Sequence, residues 1–257
     1  MRPERRVKDN SMTSVSVLKN AVQLLHDVHE STDTILVGLS GGKDSLAVLD
    51  LAVNEFGADN VQCYFMYFVR GLRCVETIIK YCERRYKVKV HYYPHPDLSR
   101  AYKYAQFMPH RANAGVWRET KIGDIEQAVR AVSGIEWLAY GHRMTDSLER
   151  RAMLHKLCGF DLKGRRVYPL WKWNANAVYA YIRGRRIPLP PRLTFNNRVM
   201  TGVGLQEDVL LFLKQKYPDD YAKVLEVFPY VEARLARRKF IESSWRKEGK
   251  ATKRSAG

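Results

Sequence analysis

Apolar residues recur at Val15, Leu18, Val22 and Leu25, a spacing that predicts a helix from Val15 to about Ser31. "TILVGLS" then reads as a buried strand, and "DSLAVLDLAVNEFG" as a helix closed by Gly57. "NVQCYFMYFV" is a second apolar and aromatic strand. "GLRCVETIIKYCERRY" sets Leu72, Val75, Ile78, Ile79 and Cys82 on one helical face, and "KVKVHYYPH" alternates as a third strand stopped by Pro94 and Pro96.

The pattern breaks between Asp97 and Gly115, a Tyr-, His- and Arg-rich stretch read as a loop with short helical pieces. It resumes with the helix "ETKIGDIEQAVRAVSG", the strand "IEWLAYG" and the helix "TDSLERRAMLHKLCG". Such alternation predicts an α/β fold: a doubly wound, mostly parallel sheet with helices on both faces. Past Cys158 the chain turns basic and is punctuated by proline and glycine. From Gln206 it reads as short helices and a basic tail. The expected organisation is a leader and helix over 1–30, one α/β unit over 31–200 and a basic helical extension over 201–257.

The 257 residues suffice for a full core. Their 44 Lys plus Arg against 27 Asp plus Glu leave a formal charge of +17. That excess favours anionic partners, nucleotides or nucleic acid among them, and says nothing about fold. Residues 234–254 concentrate it, with nine Lys or Arg against Glu242 and Glu248. Cys63, Cys74, Cys82 and Cys158 form neither C-x-x-C nor zinc spacing, so all four read as structural and reduced. The start lacks the apolar core of a signal peptide, and no stretch approaches the ~20 apolar residues of a membrane helix. A cytoplasmic protein without membrane contact is expected.

Strand carboxyl ends are where such sheets bind ligands, and the most informative turn sits at one, after Leu39. "SGGKDS" is not a Walker A loop, because Asp44 rather than Ser or Thr follows Lys43, and it is not G-x-G-x-x-G. Its glycines let successive N–H groups face one concavity, at the start of a helix whose dipole attracts anions. The hydroxyls of Ser40 and Ser45 are expected to donate to phosphate, Lys43 to add positive charge and Asp44 to help hold Mg2+.

These residues match the S-G-G-x-D-S signature and resemble the PP-loop ATP pyrophosphatases, or adenine nucleotide α-hydrolases. The resemblance implies a loop that holds the β- and γ-phosphates of ATP. It also implies a reaction in which a substrate oxygen attacks the α-phosphorus, an adenylylated acceptor forms and pyrophosphate leaves. "YGHRMTDSLERRAML", at a later strand end, is similar to the G-x-R-x-x-D/E-S-x-x-R pattern of the phosphoadenosine phosphosulfate (PAPS) reductase family. That family includes the small subunit of sulfate adenylyltransferase and DNA phosphorothioation enzymes. The match falls on Gly141, Arg143, Asp146, Ser147 and Arg150. Gly141 is expected to let an adenosine approach, and Arg143 and Arg150 to meet phosphate or sulfate oxygens. An Asp146–Arg150 surface ion pair at i,i+4 is an equal reading for Arg150. "YPLWKWNANAVYAYIRGRRIPLPP" resembles a third family segment at Pro169, Leu170, Trp173, Val178, Tyr181, Ile182, Ile187 and Pro188. Ala177 stands for the family Asp and Tyr179 for a Trp. Most of these read as packing residues.

On this reading Lys43, Asp44 and Arg143 carry catalysis. Leu39, Ser40, Gly41, Gly42, Lys43, Asp44, Ser45, Gly141 and Arg150 bind the nucleotide, and Asp44 meets the metal. ATP and Mg2+ are the implied ligands. PAPS reductases proper need a C-terminal cysteine, and the sequence has none after Cys158; "VWRETKIGD" also lacks a thiol near Trp117. A thiol reductase without its thiol cannot form its covalent intermediate. Cys74 and Cys82 are poorly spaced for an iron–sulfur cluster, so none is expected. The leading function is adenylylation of an unidentified acceptor, leaning toward an anionic one or nucleic acid. A partner subunit is left open. A sulfonucleotide reductase using an external thiol, and a non-catalytic nucleotide or nucleic-acid module, stay as alternatives.

Overall fold

The computed structural model describes residues 14–109, 118–189 and 205–237. The leader, Trp117 with the end of the aromatic stretch, Pro191 and the basic run beyond residue 237 lie outside the described residues.

A six-stranded sheet has the order β3-β2-β1-β4-β6-β5. Its strands are β1 (Ile35–Gly38), β2 (Val61–Tyr67), β3 (Lys89–Pro94), β4 (Leu138–Ala139), β5 (Phe160–Asp161) and β6 (Arg166–Val167). All pairs are parallel except β5 with β6. The register sets Val37 against Cys63 on one side and against Ala139 on the other. The chain order reverses between β1 and β4, so the loops leaving those strands flank a crevice at their carboxyl ends.

Alternation along β1 divides the core. Ile35 and Val37 face one layer with α1 (Ser14–His29), α2 (Lys43–Phe56), α3 (Arg73–Tyr86) and α7 (Ala175–Gly184). Leu36 faces the other, with Ile125 and Val129 of α5 (Ile122–Ser133). The apolar stripe of α1 matches the expected positions in part: Leu25 is buried and Leu18 packs against the core, but Val17, Ala21 and Val28 complete the stripe and Val22 is 41% exposed. Gly57 ends α2 with φ +80 as expected. Buried Asp50 ties α2 to its neighbours by accepting from Tyr86 Oη at 2.9 Å, Tyr181 Oη at 2.7 Å and Arg185 Nε at 2.7 Å.

The stretch from Pro96 opens on a short helical piece as expected, α4 (Pro96–Lys103), with Pro96 in the first turn. Two segments differ from the sequence reading. Only two residues of "IEWLAYG" are strand. Residues after α6 (Leu148–Leu157) form the short β5–β6 hairpin, an antiparallel edge that alternation over two residues cannot reveal. Cys158 is exposed, while Cys63, Cys74 and Cys82 are buried.

A separate apolar cluster joins α4 and the segment leading into α3 to α8 (Glu207–Lys216) and α9 (Pro218–Val227). Its polar clamp is Asp220, 1% exposed, whose two carboxylate oxygens accept the Arg73 and Cys74 N–H groups at 2.8 Å each. This caps the start of α3 from far along the chain. No helix among the described residues is long and apolar enough to cross a membrane.

Candidate active site

The loop from β1 to α2 is shaped by its own serines. Ser45 Oγ donates to Gly42 O at 3.0 Å and accepts the Ser40 N–H at 3.2 Å. Ser40 Oγ accepts the Gly42 N–H at 3.3 Å. Ser45, whose hydroxyl the sequence reading expected to donate to phosphate, is only 4% exposed, and that hydroxyl braces the loop. Gly41 has φ +76, and a Cβ there would meet Ile78 Cγ2 at 2.9 Å; glycine alone fits. Gly42 caps α2 without a side-chain hydrogen bond, leaving the first-turn amides of Lys43 and Asp44 without an intrahelical partner. Leu39 is buried, and its N–H donates to Tyr64 O.

The loop from β4 to α6 meets it face to face. A Cβ on Gly141 would lie 2.8 Å from the carbonyl carbon of Asp44, so this glycine lets the two loops touch. Gly141 also lines the cleft in which the sequence reading expected an adenosine to approach it. Ser147 caps α6 by accepting the Arg150 N–H at 3.1 Å. Asp146 accepts the Arg143 N–H at 2.9 Å, Arg143 Nη2 at 2.6 Å and Arg150 Nη1 at 3.1 Å.

An alternating chain of charge results: Lys43, Asp44, Arg143, Asp146, Arg150. Lys43 Nζ donates to Asp44 Oδ2 at 2.5 Å and lies 5.8 Å from the centre of the Tyr179 ring. Arg143 Nε is 2.9 Å from Asp44 Oδ1, but its N–H is not aimed at that oxygen. Both atoms, and Arg143 Nη1, are buried without a hydrogen bond, although the Arg143 side chain is only 9% exposed. Unmade hydrogen bonds on buried charges are costly. Their concentration at this junction leaves N–H donors and a carboxylate oxygen unmatched side by side. Arg150 pairs with Asp146, as one of its two sequence readings expected, and lines the cleft.

The cleft measures about 1320 Å³, larger than a usual single-ligand pocket. The two loops form its middle. One half runs along β2 toward Phe68, Leu72, Phe107 and Arg234, the last from the C-terminal helices. The other runs over β4 and β6, and none of its aromatic and acidic lining residues was singled out from the sequence. There Tyr64 Oη donates to Tyr140 Oη at 2.5 Å, which donates to Glu126 Oε1 at 2.5 Å. Glu126 also accepts from Arg166 Nη2 at 2.5 Å, and Arg166 Nη1 reaches Asp161 at 3.1 Å. Burial above all raises both tyrosines well beyond their ordinary pKa, so they stay protonated donors. The rings of Tyr140, His142 and Tyr168 lie within 24° of parallel, centroids 5.3 to 6.1 Å apart. Burial, then the Arg150 charge, lowers His142 to about 4, so it is neutral at pH 7. Its Nδ1 is buried and unpaired.

The third sequence segment is mainly packing, as expected. Pro169, Leu170, Trp173, Val178, Ile182 and Ile187 are buried, and Trp173 Nε1 donates to Val17 O at 3.0 Å. Tyr179 is the exception, resting against Lys43. None of the four cysteines lines the cleft. Among the described residues no group of three or more His, Cys, Asp or Glu gathers as a metal site. Asp44, with its unpaired Oδ1, still suits Mg2+, which commonly binds one carboxylate plus substrate phosphates.

Residues 34–195 match the family model described as phosphoadenosine phosphosulfate reductase domain. No curated protein matches the chain. Similar solved structures include an NH3-dependent NAD synthetase from Campylobacter jejuni, in complex with nitrate. It is 12% identical, with 89% of this chain and 96% of that one covered and a TM-score of 0.48. Another is the U34-tRNA thiolase NcsA from Methanococcus maripaludis, with its 4Fe–4S cluster. It is 17% identical, with 87% and 80% covered and a TM-score of 0.46.

Proposed function

Because the chain belongs to the phosphoadenosine phosphosulfate reductase domain family, we propose that its cleft binds ATP with Mg2+ and transfers the adenylyl group to an acceptor. The observation that carries this is the Ser40–Ser45 turn facing Arg143 across the β1–β4 crevice, with uncapped amides at the start of α2. Those amides and Lys43 hold the outer phosphates. Asp146 orients Arg143, whose free N–H groups take phosphate oxygens once the triphosphate displaces the Asp44 contact. Asp44 would hold Mg2+ together with phosphate oxygens, and the bound ion would supply neutralisation of charge on the departing pyrophosphate.

An acceptor oxygen forms the new bond to the α-phosphorus. The bond from that phosphorus to the α–β bridging oxygen breaks, and pyrophosphate leaves with the electron pair. The protein's share is positioning and fixed electrostatics. A PAPS reductase reading is less well supported, since no cysteine lines the cleft to attack sulfur.

Incubation with ATP labelled at the α-phosphate and Mg2+, with candidate acceptors, tests the proposal. The label is expected in AMP or an adenylylated acceptor together with pyrophosphate, and Lys43→Ala and Asp44→Ala abolish both. Label found only in ADP would overturn it. Sulfite release from PAPS would favour the reductase.

A further inference from the structure

Helix α6 has one buried side chain, Leu154, among its ten residues. Helices in proteins are held mainly by packing of one face, so a helix this exposed lacks the partner its position implies. It is not remote from function. Arg150, Met153 and Leu157, on one helical face, line the cleft. Arg151 and Lys156 are exposed, as are Lys163 and Arg165 on the neighbouring β5–β6 turn. Arg165 pairs with Glu136, and Glu149 is the acid in the helix. Leu148 and Leu162 are 78% and 72% exposed on the same two elements.

We infer that the outer face of α6 and the β5–β6 turn form a docking surface for a polynucleotide, which presents one nucleotide to the β4–β6 half of the cleft as acceptor. This rests on the adenylyl-transfer reading and names its acceptor class. Three observations converge on it. The patch is cationic in a chain of charge +17, and backbone phosphates are its natural complement. The same helix that carries the patch is a wall of the cleft, so the patch lies one helix width from the interior. The adjoining half of the cleft is lined by the half-buried, near-parallel rings of Tyr140 and His142, with Tyr168 buried against them, and unpaired bases stack on aromatic surfaces of any sequence. The cleft is also large enough for a second ligand beside ATP.

The test measures binding of a single-stranded oligonucleotide of about 20 nucleotides, longer than a usual single-strand site, as RNA and as DNA of one sequence. Wild type is compared with Lys156→Glu/Lys163→Glu and with Lys19→Glu/Lys80→Glu, two exposed lysines on α1 and α3 that change net charge equally. The first double variant is expected to weaken binding at least tenfold at about 0.1 M salt. It should also make the slope of log K against log salt shallower by about 1.4, two contacts at about 0.7 each. The second should change affinity less than twofold. RNA or DNA as the tighter ligand identifies the source, and either supports the surface. Equal losses in both variants reduce the effect to net charge and overturn the proposal, as does wild type that binds neither oligonucleotide. Binding of α,β-methylene ATP is measured alongside. It should be unchanged in both variants; its absence from wild type would strike the ATP reading and leave the oligonucleotide result to stand alone.

Discussion

Arg143 Nε stands 2.9 Å from Asp44 Oδ1, joining the loops after β4 and β1 by charge alone, with no hydrogen bond aimed between them. The arginine is held from the other side by Asp146, which takes its backbone N–H and its Nη2. A guanidinium fixed at one end and unsatisfied at the other is poised to change partner. Arg143→Ala is expected to lower kcat/KM for AMP formation by about 10²–10³-fold with the thermal midpoint little changed. Arg143→Lys should recover little of this, because an ammonium cannot serve Asp146 and a phosphate with one planar fork. Wild-type turnover by the alanine variant would remove Arg143 from the reaction.

The contact between Gly141 and the Asp44 backbone leads to a sharper geometric expectation. Gly141→Ala drives a methyl to 2.8 Å of a carbonyl carbon, and overpacking of this kind costs about 1–3 kcal/mol. We expect at least a tenfold loss in affinity for α,β-methylene ATP, since the phosphate loop must shift to relieve the clash. Gly184→Ala is the matched control, with nothing within 4 Å of its added carbon. Titration calorimetry on both variants decides it, and equal affinities would mean the loops are not coupled.

Asp220 makes a prediction about a distant thiol. Asp220→Ala removes the acceptor for two N–H groups at the start of α3 and should cost about 2 kcal/mol in urea unfolding. Burial, followed by the hydrogen bond and charge of Asp220, holds the Cys74 thiol well above its ordinary pKa. Wild type should therefore be alkylated first at exposed Cys158, with Cys74 protected. In the variant, peptide mass mapping after iodoacetamide should find Cys74 modified as α3 frays. Unaltered protection would show that the cap does not govern that helix end.

His142 gives the pH dependence. Burial places its folded-state value at about 4, below the ordinary 6.5, so the unfolded chain binds the proton more readily. Its contribution is level above about pH 6.5, falls as pH drops toward 4 and flattens below. The loss amounts to up to about 3 kcal/mol. Replacement by Phe, which keeps a ring and has no proton to bind, should flatten the stability profile across that window. The measurement is urea unfolding of both proteins at several pH values; parallel profiles would exclude His142 as the source.

Legibility in the sequence followed the range of the interactions. The β1 strand, the glycine turn and α2 come from neighbours a few residues apart, and apolar runs and glycines report those directly. Gly41 was readable as a residue of necessary conformation, though not that Ile78 would occupy its far side. Ser45 was readable as polar but not as a brace, because its partners are set by the folded turn. The Tyr64–Tyr140–Glu126–Arg166 network joins a strand, a strand end, a helix and a hairpin, and no local pattern marks any member. Strands of two residues, as in β4, β5 and β6, are too short for alternation to register and exist by pairing with neighbours.

The reach of Asp220 to α3 also sets an order of events during synthesis. Domains emerge from the ribosome N-terminal end first, so β1, the glycine turn and α2 are exposed early. The amides of Arg73 and Cys74 wait for a carboxylate made 147 and 146 residues later. A nascent chain arrested before residue 205 therefore carries its phosphate loop but lacks the clamp on one wall of the cleft. Synthesis past Asp220, more than formation of the loop, is what gives the newborn protein a finished cleft.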